Sequence, residues 1–184
     1  MSENTTRVAV LVGSLRTDSV NRQVAEYLRD HAPEGVTLEL VDGLGELPFY
    51  NEDIDAGETP APAQHVRDAV ADADGLLLVT PEYNGTMPAV LNNAIDWLSR
   101  PYGGGAITGK PVAAIGVTPT PYGGVWSHEH ALKSVTIAGG VPLEDVTVSQ
   151  TSIDVDVLGT EEVIAKLQGA VDAIVAFTPA PAAA

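Results

Sequence analysis

Short, nearly unbroken apolar runs alternate along this chain with segments whose apolar positions recur every three or four residues. An unbroken run bounded by turn residues is the mark of a strand buried on both faces, and the longer period is that of an amphipathic helix. The runs are residues 7–13, 36–41, 75–80 and 112–118, with a weaker one at 146–148. Between the first two, Val20, Val24, Tyr27, Leu28 and His31 fall at helical spacing until Pro33 and Gly35 end the segment. Residues 62–72 predict a shorter helix. Pro88 stands at the first-turn position of the next, with Leu91, Ala94, Ile95 and Leu98 on one face and Pro101 as its stop. Residues 125–138 and 161–177 supply the last two. Strands and helices in alternation, joined by right-handed crossovers, predict an α/β fold: a doubly wound three-layer sandwich around a five-stranded parallel sheet. With no internal repeat and no long linker, residues 1–178 read as one domain. Residues 179–184 lack periodicity, carry two prolines and are expected to fray.

Composition narrows the chemistry. A chain of 184 residues is long enough to bury a core without staples. It has no cysteine, which removes disulfides, thiolate metal sites, iron–sulfur clusters and thiol nucleophiles together. Redox chemistry would therefore come from a bound organic cofactor. The start MSENTTRVAV has no basic segment leading into an apolar stretch, and no run approaches membrane-spanning length, so a soluble, cytoplasmic protein is expected. Twenty-five acidic residues against nine basic ones give a net charge of −16, which argues against nucleic-acid and anionic-membrane partners.

In a doubly wound sheet, ligands sit beyond the carboxyl ends of the strands, so the loops after the first, third and fourth runs matter most. The first is Gly13-Ser14-Leu15-Arg16-Thr17-Asp18-Ser19-Val20-Asn21, leading directly into a helix. Amides at a helix start, the Ser14 and Ser19 hydroxyls, the Asn21 amide and the Arg16 guanidinium suit a phosphate monoester. The same residues also admit a plainer reading, with Ser19 as a helix cap and Arg16 as a solvated charge. Neither a G-x-G-x-x-G nor a P-loop pattern is present.

The second loop, Thr80-Pro81-Glu82-Tyr83-Asn84-Gly85-Thr86-Met87-Pro88, is a rigid turn that could present backbone groups and Tyr83 to a flat ring; Tyr83 could equally be an ordinary loop aromatic. The third, Thr118-Pro119-Thr120-Pro121-Tyr122-Gly123-Gly124-Val125-Trp126-Ser127, brings a glycine pair and two aromatics ahead of a helix. His128 and His130 follow, two residues apart and so on different faces of that helix, which argues against a shared metal. No metal site and no catalytic side-chain set is expected.

Together GSLRTDSVN, TPEYNGTMPAVLNNAIDWLSRP and GKPVAAIGVTPTPYGG, in order at the three loops, resemble the NAD(P)H-dependent FMN reductase family of flavodoxin-like proteins, as does LPFYNED at residues 47–53. The resemblance runs from Val8 to about Phe177. It implies the flavodoxin strand order 2-1-3-4-5, FMN as cofactor and NADPH or NADH as electron donor. It also implies that Ser14, Arg16, Ser19 and Asn21 bind the FMN phosphate, that Pro81, Glu82, Tyr83, Asn84 and Gly85 border the ring, and that Tyr122, Gly123 and Gly124 contact it from the third loop. Members are usually homodimers or homotetramers. Many relatives carry an arginine shortly after the paired glycines, where this chain has Val125, Trp126 and Ser127.

The expected activity is transfer of electrons from the nicotinamide nucleotide through bound flavin to a small acceptor: a flavin, quinone, azo compound or metal oxyanion. The flavin carries the chemistry and the protein supplies position. Arg16, Arg22 and Arg100 are candidates for local positive charge near the site. The alternative is a flavodoxin-like carrier exchanging electrons with protein partners, which an acidic surface would also suit.

Overall fold

A computed structural model describes residues 5–178; the tail expected at 179–184 lies outside them. The strong apolar runs become β1 (Thr6–Val12), β2 (Val36–Leu40), β3 (Gly75–Val79) and β4 (Pro111–Thr118), all parallel to their neighbours. β3 and β4 are buried along their whole length, which is why their sequences do not alternate. Successive side chains still go to opposite faces. Ala9, Leu11, Leu76, Leu78 and Ala114 join one core layer with Val66, Leu91, Trp97 and Leu132. Val8, Val10, Leu77, Val79 and Ile115 join the other with Val24, Leu28, Leu167 and Val171.

The helices are α1 (Val20–Asp30), α2 (Glu52–Asp55), α3 (Ala61–Ala71), α4 (Ala89–Leu98), α5 (Val125–Ile137) and α6 (Glu161–Ala176). The two core layers put α3, α4 and α5 on one side of the sheet and α1 and α6 on the other. That is the doubly wound sandwich. The short α2 was not expected: it is one turn without an apolar face, started by the Asn51 side chain accepting from the Asp53 N–H at 2.8 Å.

The lanes of the sheet run in the order β2-β1-β3-β4 and then a fifth lane, as the flavodoxin order requires. That fifth lane departs from the single short strand expected at 146–148. It comes in two pieces, β5 (Val141–Pro142) beside Pro111 and Val112, and β6 (Val148–Thr151) beside Ile115 to Thr118. Pro142 has no N–H to continue a ladder, and a 3₁₀ turn at Glu144–Val146 carries the chain out and back before pairing resumes. Because all lanes are parallel, the loops after β1, β2, β3, β4 and β6 open at one edge of the sheet.

Candidate functional site

The loop after β1 leaves the sheet at Gly13, where an added Cβ would stand 2.8 Å from Thr80 Oγ1, so only glycine lets β1 and β3 end this close together. Ser14 and Ser19 are buried, while residues 15–18 between them are exposed. Ser19 caps α1, its Oγ accepting from the Arg22 N–H at 3.4 Å. Arg16 is the arginine left over. Arg7, Arg22, Arg29 and Arg67 each meet a carboxylate, and Arg100 lies over the Tyr50 ring at 5.4 Å. Among the described residues, Arg16 alone of the arginines has neither an ion-pair partner nor a ring. Arg22 and Arg100, named above as sources of positive charge, are thus engaged by Glu26 and Tyr50.

Asn21 does something the sequence did not announce. Its Nδ2 donates to the Val117 carbonyl and its Oδ1 accepts from the Val117 N–H, both at 2.9 Å. The buried carboxamide completes the ladder of β4 like a residue of a neighbouring strand, leaving a single N–H for any other partner.

In the loop after β3, Tyr83 and Thr86 exchange backbone hydrogen bonds of 2.9 and 3.1 Å around Asn84 (φ 53°) and Gly85 (φ 72°). Two central residues with positive φ make this a tight Asn-Gly hairpin turn. The Tyr83 N–H is consumed inside the turn, while the Asn84 and Gly85 amides at its tip donate to nothing among the described residues. Tyr83 itself is exposed.

The loop after β4 ends on Gly123 (φ 64°) and Gly124 (φ 93°), both buried. A Cβ on Gly123 would meet the Ser149 carbonyl at 2.5 Å, so the turn is pressed onto β6. Tyr122 and Trp126 stack at a tilt with centroids 4.8 Å apart, both partly exposed to solvent.

Glu82 joins these two loops. Gly124 offers α5 no side-chain cap, and the Glu82 carboxylate supplies one from across the mouth, accepting from the Trp126 N–H at 3.1 Å and the Ser127 N–H at 3.2 Å. A carboxylate is favoured at the positive end of a helix. Ser127 Oγ and Thr80 Oγ1 both donate to the Pro81 carbonyl at 2.9 Å, closing the seam beneath. Glu82 is therefore occupied as a structural acceptor.

Behind the loops, His128 is fully buried, with Nδ1 2.7 Å from Ser149 Oγ and Nε2 without a hydrogen-bond partner among the described residues. Burial pushes its pKa down to about 4, which the nearby Thr80 and Ile115 backbone only partly offsets. His130 instead reaches Thr86 Oγ1 at 2.9 Å, on the exposed side of α5. Among the described residues no three His, Asp or Glu converge as a metal site, and no helix is long and apolar enough to cross a membrane.

The structure thus gathers Ser14, Arg16 and Ser19 at one lip of the mouth. It ties Pro81 to Gly85 to Tyr122, Gly123 and Gly124 at the other, and turns Asn21 inward. An anion-ready loop facing a rigid turn and a glycine-lined, aromatic-rimmed loop fits a ligand with a phosphate tail and a flat ring.

The profile of the NADPH-dependent FMN reductase family matches residues 6–154. A quinone reductase of Pseudomonas putida is 45% identical over 135 residues, 73% of this chain and 72% of that protein. A 2-hydroxy-1,4-benzoquinone reductase of a Burkholderia species is 47% identical over 124 residues, 67% of each. Among solved structures, FerB, a flavoenzyme NAD(P)H:(acceptor) oxidoreductase from Paracoccus denitrificans, superposes with a TM-score of 0.80 at 33% identity, covering 93% of this chain and 96% of that one.

Proposed function

We infer, from the premise that this chain belongs to the NADPH-dependent FMN reductase family, that it is an FMN-dependent oxidoreductase whose first lip grips the FMN phosphate and whose small acceptors include quinones. The observation that carries the binding mode is Arg16: a guanidinium without carboxylate or ring among the described residues, beside the buried hydroxyls of Ser14 and Ser19 at a helix start. Asn21 contributes by fixing α1 against β4 more than by direct contact.

FMN held there would supply the redox chemistry, accepting hydride from the nicotinamide nucleotide and giving electrons to the acceptor. The chain's own work is placement. The amides at the tip of the Asn84-Gly85 turn point hydrogen-bond donors out of a rigid hairpin, suited to a ring that gains negative charge on reduction. Tyr83, Tyr122 and Trp126 rim the mouth, where donor and acceptor stack in turn. Holding rings in contact lowers a barrier by as much as about 7 to 11 kcal/mol when the geometry is right. His128 is not a proton donor in this scheme, because burial holds its imidazole neutral.

The test is direct. Purified protein carries or takes up FMN, and anaerobic mixing with NADH or NADPH bleaches the flavin absorbance. Replacing Ser14 and Arg16 by Ala removes two charge-assisted contacts of about 1.5 to 3 kcal/mol each, so FMN affinity falls at least a hundredfold in a fluorescence titration. Unchanged affinity would overturn the phosphate assignment, and a bound flavin that neither nucleotide bleaches would mark a carrier instead.

The family's usual homodimer or homotetramer is part of the same proposal. A groove of about 740 Å³ between α4 and α5, bordered by the strongly exposed Tyr102 and Ile137, supports it. Light scattering reports the mass, and Ile137→Asp lowers it if this face is the interface. A cytoplasmic location completes the reading and is checked by cell fractionation.

A further inference from the structure

Among the described residues His128 is the one buried side chain that can titrate, and the scheme above gives it no chemistry. The fold nevertheless makes room for its ring with care. β4 has a glycine where the imidazole crosses it: a Cβ on Gly116 would stand 2.7 Å from His128 Nε2 and would also run into the Thr80 carbonyl. Gly124 borders the ring from the mouth, where a Cβ would lie 3.4 Å from His128 Cε1. The third contact is polar, with Nδ1 2.7 Å from Ser149 Oγ. Burial keeps the imidazole uncharged, with a pKa of about 4, so this bond joins two neutral partners.

Ser149 is used at both ends. In the sheet it is the partner of Gly116, so its side chain and the missing Cβ of Gly116 share one face and the imidazole lies across both lanes. Its hydroxyl meets His128, while its carbonyl lies against Gly123, where a Cβ would stand 2.5 Å away. The Gly123–Gly124 turn therefore rests on two supports, the Ser149 carbonyl and the His128 ring, and one hydrogen bond fixes those supports to each other. Two successive glycines at positive φ have no side chains with which to hold their own place. An apolar residue at position 128 would fill the same space without tying α5 to β6.

We propose that His128 is a positioning residue: through Ser149 it sets the height of the Gly123–Gly124 turn at the mouth, and with it the seat of the FMN ring. The proposal rests on the FMN reading above, in which this turn contacts the ring, and its test separates the two. The effect belongs to the ring alone, since the phosphate is assigned to the loop after β1 at the opposite lip.

Replacing His128 would open a hole in the core and mix folding with placement, so the informative end is Ser149, which is exposed. Ser149→Ala removes the hydroxyl and leaves the pairing of β6 with β4 intact; Ser149→Thr keeps a hydroxyl on a strand that suits β-branched residues. In the FMN-free protein, Ser149→Ala speeds amide hydrogen exchange across residues 119–127, Ser149→Thr restores it, and α1 exchanges as before in both. In the loaded protein, Ser149→Ala weakens FMN about two- to tenfold, the range that one neutral hydrogen bond commands. It also shifts the visible absorption band and the midpoint potential of the flavin, and Ser149→Thr returns all three toward the unmodified values. Combined with Arg16→Ala, the two losses of affinity multiply, as they do for sites without a shared partner.

Exchange across 119–127 that Ser149→Ala leaves unchanged, or an FMN affinity and spectrum equal to those of the unmodified protein, would overturn the proposal. Should the protein take up no FMN at all, the flavin reading fails on its own. The exchange comparison still decides the pin: faster exchange in Ser149→Ala alone upholds it, and equal exchange in both variants removes it.

Discussion

At the scale of single residues, the buried polar groups beneath the mouth are satisfied by partners far away in sequence, and that makes them sensitive. The carboxamide of Asn21 serves both the N–H and the C=O of Val117 inside the sandwich. Asn21→Ala strands both, at about 1 to 3 kcal/mol for each group left unpaired, and is expected to lower the urea midpoint of the FMN-free protein accordingly. His128 makes a prediction of a different kind. Its pKa is near 4 in the fold against an ordinary 6.5, so the native state binds fewer protons than the unfolded chain between those values. The stability due to its neutral form is fully present above about pH 6.5, is lost as pH falls toward 4, and changes no further below that. The span corresponds to about 3 kcal/mol. Carboxylates titrate over the same range, so the measurement is a difference: unfolding free energies of the unmodified protein and His128→Asn across pH 4 to 7, the first falling more steeply. Parallel curves would show that burial does not hold this imidazole neutral.

At the scale of elements, α5 is the helix that depends on another segment for its start. Gly124 provides no side-chain cap, and Glu82 provides one from the loop after β3. Glu82→Ala is expected to cost about 0.5 to 2 kcal/mol of unfolding free energy, the ordinary worth of a cap, with Glu82→Gln recovering much of it because an amide oxygen can accept the same bonds. The elements themselves were largely readable in the sequence. Runs such as Gly75–Val79 are uniformly apolar because both faces are covered, and α4 announces itself by Pro88 and a clear apolar face. Two features were not readable, for physical reasons. The four residues of α2 are too few to show a period, and the fifth lane breaks at Pro142 because an in-line proline and a 3₁₀ turn interrupt its apolar pattern. In the site, the loops could be located from topology alone and their chemistry from the resemblance. The roles of Asn21 and Glu82 could not. Their partners lie 96 and 44 to 45 residues away, and no local spacing encodes a contact of that range.

At the scale of the molecule, the excess of carboxylates bears on folding as well as on ligands. A net charge of −16 on a chain of 184 residues repels itself wherever the charges are close. Few of the visible ion pairs offset it. Arg7–Glu39, Arg29–Asp30 and Lys166–Glu162 are exposed, and such pairs contribute on the order of 0 to 1 kcal/mol each. Among the described residues only Arg67–Asp55 is mostly covered, with Arg67 also over the Trp97 ring. Salt weakens like-charge repulsion and exposed attraction alike, but with 25 acidic residues against 9 basic ones the repulsions outnumber the attractions. The melting temperature of the FMN-free protein is therefore expected to rise between about 0.05 and 1 M sodium chloride, by about 2 to 4 °C for each kcal/mol of repulsion relieved in a chain of this size. Chloride is the right salt because sulfate would also strengthen apolar burial and confuse the cause. A melting temperature that stays flat or falls would mean that the unfolded chain feels the same repulsion as the fold. In that case the one-sided charge acts on what approaches the mouth and has no share in the stability of the sandwich behind it.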